Sequence, residues 1–439
     1  MNERIKELYK KKLTTAEEAV KVVKSGYTIV SGLAAIEPRL FLTALPSIKE
    51  KVKDVAIVTC LPMAPYEFFN SKDMIGHFLH EAWFYTPPIR KAPFELNTFI
   101  PNHLHSCSRD RMAYKKPTII AAAATPPDKH GYMSLSLSAM YEIDLLEHAD
   151  YVILEVNENY PRTFGDIMIH INDVTHIIEA DYKPPVFPQA PVSDKDRAIA
   201  GHITEYLEDG ITLQLGIGGI PNAVGAVLTN LKDVGIHTEM LTDSMAELFE
   251  AGVINGKKKT LFPNKMVCTF ALGSEKLYQF IDNNPGVVFN KGSWVNNPYV
   301  ISQNYKQVSI NTSLEIDLTG QVCSESIGPK QFSGTGGQAD TAIGAQMSPG
   351  GKSFISLYST ANVDNEAGKK VEISKIVPML KEGAQVTLHR ANVDYVVTEH
   401  GCVRIKGCTV RERAKRLISI AHPDFRDWLT EEARKLQYL

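Results

Sequence analysis

The feature that most constrains this fold is a set of short, apolar runs. They are KDVAIVTC (53–60), KPTIIAAAAT (116–125), DYVILEVN (150–157), KMVCTFALGS (265–274), AQVTLHR (384–390) and DYVVTEHG (394–401). A strand with one wet face alternates apolar and polar residues. A strand covered on both faces reads as a continuous run, as these do. Helical patterns separate them. The expectation is an α/β chain of two similar domains, each a parallel or mixed sheet flanked by helices. In sheets of that kind ligands gather beyond the carboxyl ends of the strands.

One stretch reads as a linker, DYKPPVFPQAPVSDKDR (181–197). Pro184, Pro185, Pro188 and Pro191 exclude a helix or a central strand there. It divides the chain into an N-terminal domain, 1–185, and a C-terminal domain, 186–439. The two open alike. Each has an amphipathic helix ending at a glycine (Gly26, Gly210). A β-branched strand then leads to a second glycine (Gly32, Gly216), and a proline follows near a helix start (Pro38, Pro221). They also end alike, in DYVILEVN and DYVVTEHG. The matches predict a pseudo-repeat.

A net charge of -3 gives no general attraction to nucleic acid or anionic membrane. The six cysteines, Cys60, Cys107, Cys268, Cys323, Cys402 and Cys408, show no CxxC spacing and no histidine partners for zinc. They read as free thiols in a reducing compartment, with no metal site. The N-terminus has no apolar signal core, and no run reaches the length of a membrane span. The expected location is cytoplasmic.

Candidate chemistry begins at GIHTEMLTDSMAELFEAGVI (235–254). Ser244 and Glu247 have the spacing of a capping box. Asp243 suits a helix start by its charge, and Glu250 falls on the outer face. Glu239 fits none of these jobs. It is expected at a strand's carboxyl end, where a general base, a nucleophile or an ion-pair member are all open to it.

Two glycine-rich loops supply possible anion sites. LGIGGIP (215–221) follows the apolar strand ITLQL and precedes a helix, so the backbone N–H groups of Gly216, Gly218 and Gly219 can turn outward beside a positive dipole end. It lacks the spacing of a dinucleotide fingerprint. GPKQFSGTGGQAD (328–340) offers Gly334, Gly336 and Gly337, with Gln338 and Asp340 alongside. Arg162, in ENYPRTFGD, could hold a carboxylate or form a surface ion pair. Lys375 could meet a phosphate or stay solvated. Walker, GxSxG and HExxH motifs are missing.

Taken together, LQLGIGGIPNAV, VGIHTEMLTDSMAELFEAGVI, SIGPKQFSGTGGQAD, SKIVP, DYVVTEHG and IAHPDF resemble the acetyl-CoA hydrolase/transferase family, in order and over nearly the whole chain. ATPPDKHGYMSLS and VNENYPRTFGD resemble family segments too. The likeness is closest to the family's 4-hydroxybutyrate and butyryl CoA-transferases. It implies transfer of CoA between a short-chain acyl-CoA (acetyl, butyryl or 4-hydroxybutyryl) and a carboxylate such as acetate, by a ping-pong route.

By the same resemblance Glu239 becomes covalently bound to acyl and then to CoA. Gly216, Ile217, Gly218, Gly219 and Ile220 hold CoA and the oxyanion, with Gly334, Gly336 and Gly337 as the second loop. Gln338, Lys375 and Arg162 are possible substrate or CoA contacts. CoA is then a substrate and covalent intermediate, and no permanent cofactor is implied. A homo-oligomer, dimer or higher, is expected. The chain departs from the family at Thr242-Asp243-Ser244, where Ser-Asp-Gly is common, and at Asn222, where aspartate often stands. The alternatives are an acyl-CoA hydrolase on the same scaffold and, remotely, a non-catalytic sensor of phosphosugars.

Overall fold

Continuous burial along a strand is what the apolar runs demand, and the first sheet delivers it. The computed structural model describes residues 2–187, 189–216, 218–365 and 368–439. The strands of the first sheet are β1 (Leu13–Thr14), β2 (Thr28–Ser31), β3 (Val55–Cys60), β4 (Phe78–Phe84), β5 (Asn97–Phe99), β6 (Ile119–Ala124), β7 (Tyr151–Val156) and β8 (His176–Glu179). Their order is β1-β8-β7-β6-β2-β3-β4-β5, and every neighbouring pair is parallel. All residues of β2, β3 and β6 are buried. Helices α1 (Ala16–Ala19), α2 (Arg39–Ala44) and α3 (Glu142–Leu146) belong with this sheet. Phe41 and Leu42 of α2 join Ile29, Ile57, Phe68 and Phe69 in one core cluster.

The second sheet is built from β9 (Thr212–Leu215), β10 (Gly235–Ile236), then, past two short strands of the first unit, β11 (Met240–Leu241) and β12 (Phe270–Ala271), β13 (Gln307–Thr312), β14 (Lys352–Ser356), β15 (Tyr395–Thr398) and β16 (Gly401–Arg404). Its order is β10-β9-β13-β14-β15-β16. Only the last pair, β15 with β16, is antiparallel. Its helices are α4 (Asp194–Thr204), α5 (Gly219–Val227), α6 (Asp243–Glu250), α7 (Gln338–Met347), α8 (Val410–Ser419) and α9 (Pro423–Lys435). Ala414 and Leu417 of α8, and Leu429 and Ala433 of α9, pack with Ile355 and Val396 of the sheet.

Contacts divide the chain into two units. The first is Met1–Pro188 with Glu239–Asp243 and Lys265–Asn296. The second is Gln189–Thr238, Ser244–Asn264 and Asn297–Leu439. A cut at 185/186 assigns Glu239 to the C-terminal part. By contacts Glu239–Asp243 belong to the first unit, because β11 pairs there with β12.

The opening of the pseudo-repeat has a counterpart in geometry. Gly26 and Gly210 both take the left-handed conformation, at φ 75° and 76°. β2 and β9 each have a short-range neighbour on one side and a later strand on the other. The closing match is out of step: β7 stands second from β2, whereas β15 stands third from β9.

Three local expectations need correction. AQVTLHR is not a strand; it makes a single bridge from Leu388 to Val322 and leaves Val386 43% exposed. KMVCTFALGS breaks into Met266–Cys268 and Phe270–Ala271, which join different small sheets. The linker stops short of 197, because Ser193 and Asp196 form a capping box that starts α4 at Asp194.

Candidate active site

Glu239 stands directly before β11, and its backbone is fixed on both sides. Its carbonyl accepts from Thr269 N–H at 3.0 Å and Phe270 N–H at 3.1 Å. Met240 and Leu241 then pair in parallel with Phe270 and Ala271. From Val234 to Leu241 every residue is buried except Glu239, which is half-buried. A chain threaded through the interior therefore leaves one carboxylate within reach of a ligand.

Asn296 Nδ2 donates to Glu239 Oε2 at 2.7 Å. An N–H given to a carboxylate oxygen offsets the cost of taking that charge out of water. The amide is fully buried, and among the described residues its Oδ1 has no hydrogen-bond partner. Turning the amide over would set that oxygen against a carboxylate, so the donor orientation is the one chemistry allows. The Asn296 backbone is set by its N–H to Gly292 O, 3.0 Å.

The carboxyl end of β3 is near enough to Glu239 for its charge to act on Cys60. Cys60, the last residue of β3, is buried. Burial pushes its thiol up, and the charges of Cys107, Glu239 and Glu142 push the same way. The β3–β4 register slips between Thr59 and Cys60, an irregularity of the kind that re-aims chain ends beside sites. Leu61, next in sequence, has φ 55° and Ala34, after β2, has φ 45°. Left-handed backbone at non-glycine residues costs roughly 1–3 kcal/mol each and persists only where surrounding structure imposes it. Glu142 is fully buried and accepts from Leu33 N–H at 2.8 Å, Tyr141 N–H at 3.1 Å and Ser138 Oγ–H at 3.0 Å. Burial still raises its pKa.

The capping expectation for 244–247 fails. α6 starts at Asp243, which places Ser244 inside the helix. Asp243 accepts from Ser274 N–H at 3.0 Å and from the Ser274 hydroxyl. It lies so close that a Cβ on Gly273 would meet Oδ2 at 2.4 Å. Glu250 is exposed as expected.

The first glycine loop belongs to the second unit and lies at the carboxyl end of β9. Its glycines are needed for different reasons. Gly218, at φ 118° and ψ -173°, holds a conformation other residues avoid and N-caps α5. Gly219 is needed for space: a Cβ there would sit 2.7 Å from Asp196 Oδ2. Gly216 is under neither constraint, since the nearest atom to its Cβ position is Ile310 O at 3.6 Å. Ile217 lies outside the described residues. Ile220 is 4% exposed, which leaves its backbone rather than its side chain for any ligand.

Asp196 accepts from Ser193 N–H at 2.8 Å and from Tyr358 Oη–H at 2.7 Å. A carboxylate thus already occupies one flank of the α5 N-terminus. The loop can serve an oxyanion through its open side, beyond Gly218, where nothing lies within 4 Å of the Cβ position.

The second loop is in the same unit. Gly336 is left-handed at φ 57°, and Gly337 N-caps α7. Gln338 is held at both ends of its amide: Nε2 donates to Thr312 O at 2.8 Å and Oε1 accepts from Ser324 Oγ–H at 2.8 Å. Thr312 ends β13, the neighbour of β9. The structure therefore brings both glycine loops to the carboxyl edge of one sheet, with Gln338 fixing the second there.

Lys375 is half-buried and makes no salt bridge among the described residues. Burial lowers its pKa, while Glu315 opposes the shift. Arg162 is committed elsewhere. Nη2 meets Asp128 Oδ2 at 3.0 Å and Tyr132 O at 3.2 Å, so its guanidinium braces the 125–136 loop. Among the described residues no cluster of His, Cys, Asp or Glu could hold a metal ion.

Sequence reasoning missed Asn296. It lies in WVNNP, where the Asn pair and the following proline read as a turn. No local signal separates a buried amide that serves a carboxylate 57 positions away from an ordinary turn residue.

Residues 1–188 match the family model of the acetyl-CoA hydrolase/transferase N-terminal domain, and residues 273–433 that of its C-terminal domain. The chain is 43% identical to the 4-hydroxybutyrate coenzyme A transferase of Clostridium kluyveri, covering 98% of this chain and 99% of that protein. It is 42% identical to the succinyl-CoA:cyclohexane-1-carboxylate CoA transferase of Geobacter metallireducens, covering 98% and 96%. The crystal structure of a 4-hydroxybutyrate CoA-transferase from Porphyromonas gingivalis superposes with a TM-score of 0.81 at 36% identity, covering 98% of this chain and 99% of that one.

Proposed function

Because this chain belongs to the acetyl-CoA hydrolase/transferase family, we propose that it is a CoA-transferase that exchanges CoA between short-chain acyl groups through a thioester on Glu239. The observation that carries this reading is Glu239 itself: the one accessible side chain in a buried run, with its carboxylate held by the Asn296 amide.

The bonds balance without an acid or a base. An oxygen of Glu239 attacks the acyl-CoA carbonyl carbon; the C–S bond breaks, leaving a mixed anhydride and CoA thiolate. The thiolate attacks the glutamyl carbonyl carbon; the anhydride C–O bond breaks, releasing the first carboxylate and leaving a glutamyl-CoA thioester. A second carboxylate attacks that carbonyl and expels the thiolate. The thiolate then attacks the new acyl carbonyl and restores Glu239. Carboxylates and thiolate exchange places and no proton moves. A neutral amide donor suits such a cycle better than a titrating group. A carboxylate nucleophile also conserves the thioester's energy, which water would discard.

Each tetrahedral intermediate develops an oxyanion. Backbone N–H groups of Gly216–Ile220 and Gly334–Gly337 are the proposed donors, each worth ~3 kcal/mol. Lys375 is the proposed partner for a CoA phosphate. Transfer of CoA from butyryl-CoA or 4-hydroxybutyryl-CoA to acetate, with parallel lines in double-reciprocal plots, is the expected result. Thiol release at the same rate with and without a carboxylate acceptor would instead assign the chain to the hydrolases.

A further inference from the structure

A cavity of about 940 Å³ opens in the first unit, beside α1, α2 and the carboxyl ends of β1 and β8. None of its walls is a residue of the Glu239 site. Ala16, Ala44 and Ile178 line it, and at its rim Leu13 and Leu40 are 42% and 39% exposed. Large apolar side chains held open to water in one concave place are an unfilled binding surface.

Arg39 lines the same cavity. Its guanidinium lies over the ring of Tyr182, 5.0 Å from the centroid, and among the described residues it forms no salt bridge. The carboxyl groups of Glu37 and Glu155 feel its charge, and both are occupied elsewhere. Glu37 accepts from Met63 N–H at 2.7 Å and Tyr66 Oη–H at 3.0 Å. Glu155 accepts from Phe41 N–H at 2.7 Å and Tyr182 Oη–H at 2.6 Å. Burial raises them to about 8 and about 7, so near neutral pH they leave much of the guanidinium charge uncompensated.

We propose that this cavity binds a monocarboxylate with an apolar tail, its carboxylate on Arg39 and its tail against Leu13, Leu40 and Ile178. A guanidinium takes a carboxylate by two parallel hydrogen bonds. No lysine lines the cavity, so a phosphate-rich ligand such as CoA would lack partners. Glu17 and Glu179 line its exposed side and weigh against any anion, a dicarboxylate more than a monocarboxylate. On the transferase reading such acids are the reaction's own acceptors and products, so the site would register their level; the binding itself does not depend on that reading.

The test is calorimetric titration of hexanoate into the full chain and into two variants. Arg39→Met removes the cation, and Thr43→Phe narrows the cavity with Arg39 intact. In each variant the affinity of one site should fall roughly tenfold or more, with transferase turnover and Glu239 labelling unchanged. Adipate and hexylamine should bind that site more weakly than hexanoate by a similar factor. Unchanged isotherms in both folded variants overturn the proposal. So does a change in sedimentation mass without a change in hexanoate binding, which would make the cavity a contact between copies of the chain. Arg39-dependent binding in a protein that never labels at Glu239 would sink the transferase reading and leave this one standing.

Discussion

Replacing Asn296 by alanine separates a residue that serves the reaction from one that serves the fold. Among the described residues the side chain makes one strong interaction, Nδ2 to Glu239 Oε2 at 2.7 Å. A hydrogen bond to a charged group contributes about 1.5–3 kcal/mol, which corresponds to a loss of roughly ten- to hundredfold in kcat/KM. Stability should respond differently. Among the described residues the fully buried Oδ1 has no partner, and a buried polar atom in that state costs about 1–3 kcal/mol. Alanine removes that penalty together with the donor, so unfolding free energy should change by less than about 1 kcal/mol. Steady-state transferase kinetics and urea unfolding, run on the same preparation, read both quantities. Activity within about twofold of the parent, with several kcal/mol of lost stability, would show that the amide is structural and refute the reasoning.

The remaining predictions concern the glycine loop and pH. Gly219→Ala forces a methyl to 2.7 Å from Asp196 Oδ2 and should destabilise the chain by about 1–3 kcal/mol. Gly216→Ala, with 3.6 Å to its nearest neighbour, should shift stability by less than about 1 kcal/mol; equal effects in chemical denaturation would contradict this division of roles. Glu37 is raised by burial from 4.5 to about 8 and Glu155 to about 7, so between those values the folded state holds more protons than the unfolded one. Stability should therefore be greatest at the acid end of that window and fall as pH rises through 7 and 8. Glu37→Gln should flatten that slope, and a slope equal to the parent's would rule out Glu37 as its source.

Much of the architecture could be read from the chain because burial leaves a periodic record. Runs such as VAIVTC and IIAAAA are continuous since both faces of β3 and β6 are covered. Gly26 and Gly210 could be matched because a left-handed turn after a helix favours glycine. AQVTLHR misled for the opposite reason: composition reports affinity for a pleated surface, and Val386 has none against it.

At the site, Glu239 was found by subtraction, once neighbouring acids had been given other duties. One of those duties was misread. Asp243 is spent on Ser274 rather than only on the helix end, and α6 starts a residue before the expected cap. The reason for Gly219 was hidden too, since Asp196 lies in the first turn of a helix, and sequence placed that turn in the linker. Asn296, Asp196 and Ser274 share one property. Each acts on a residue far away in the chain, and spacing carries no trace of such a partner.

In the proposed mechanism Glu239 carries the acyl group and then CoA. The direct measurement is incubation of the full chain with acyl-CoA alone, trapping with hydroxylamine or borohydride, and mass spectrometry of the peptide spanning residues 235–254. The expected result is a modification on Glu239, absent without acyl-CoA and discharged by acetate before trapping. An unmodified peptide, together with full transferase activity in Glu239→Gln, would contradict it.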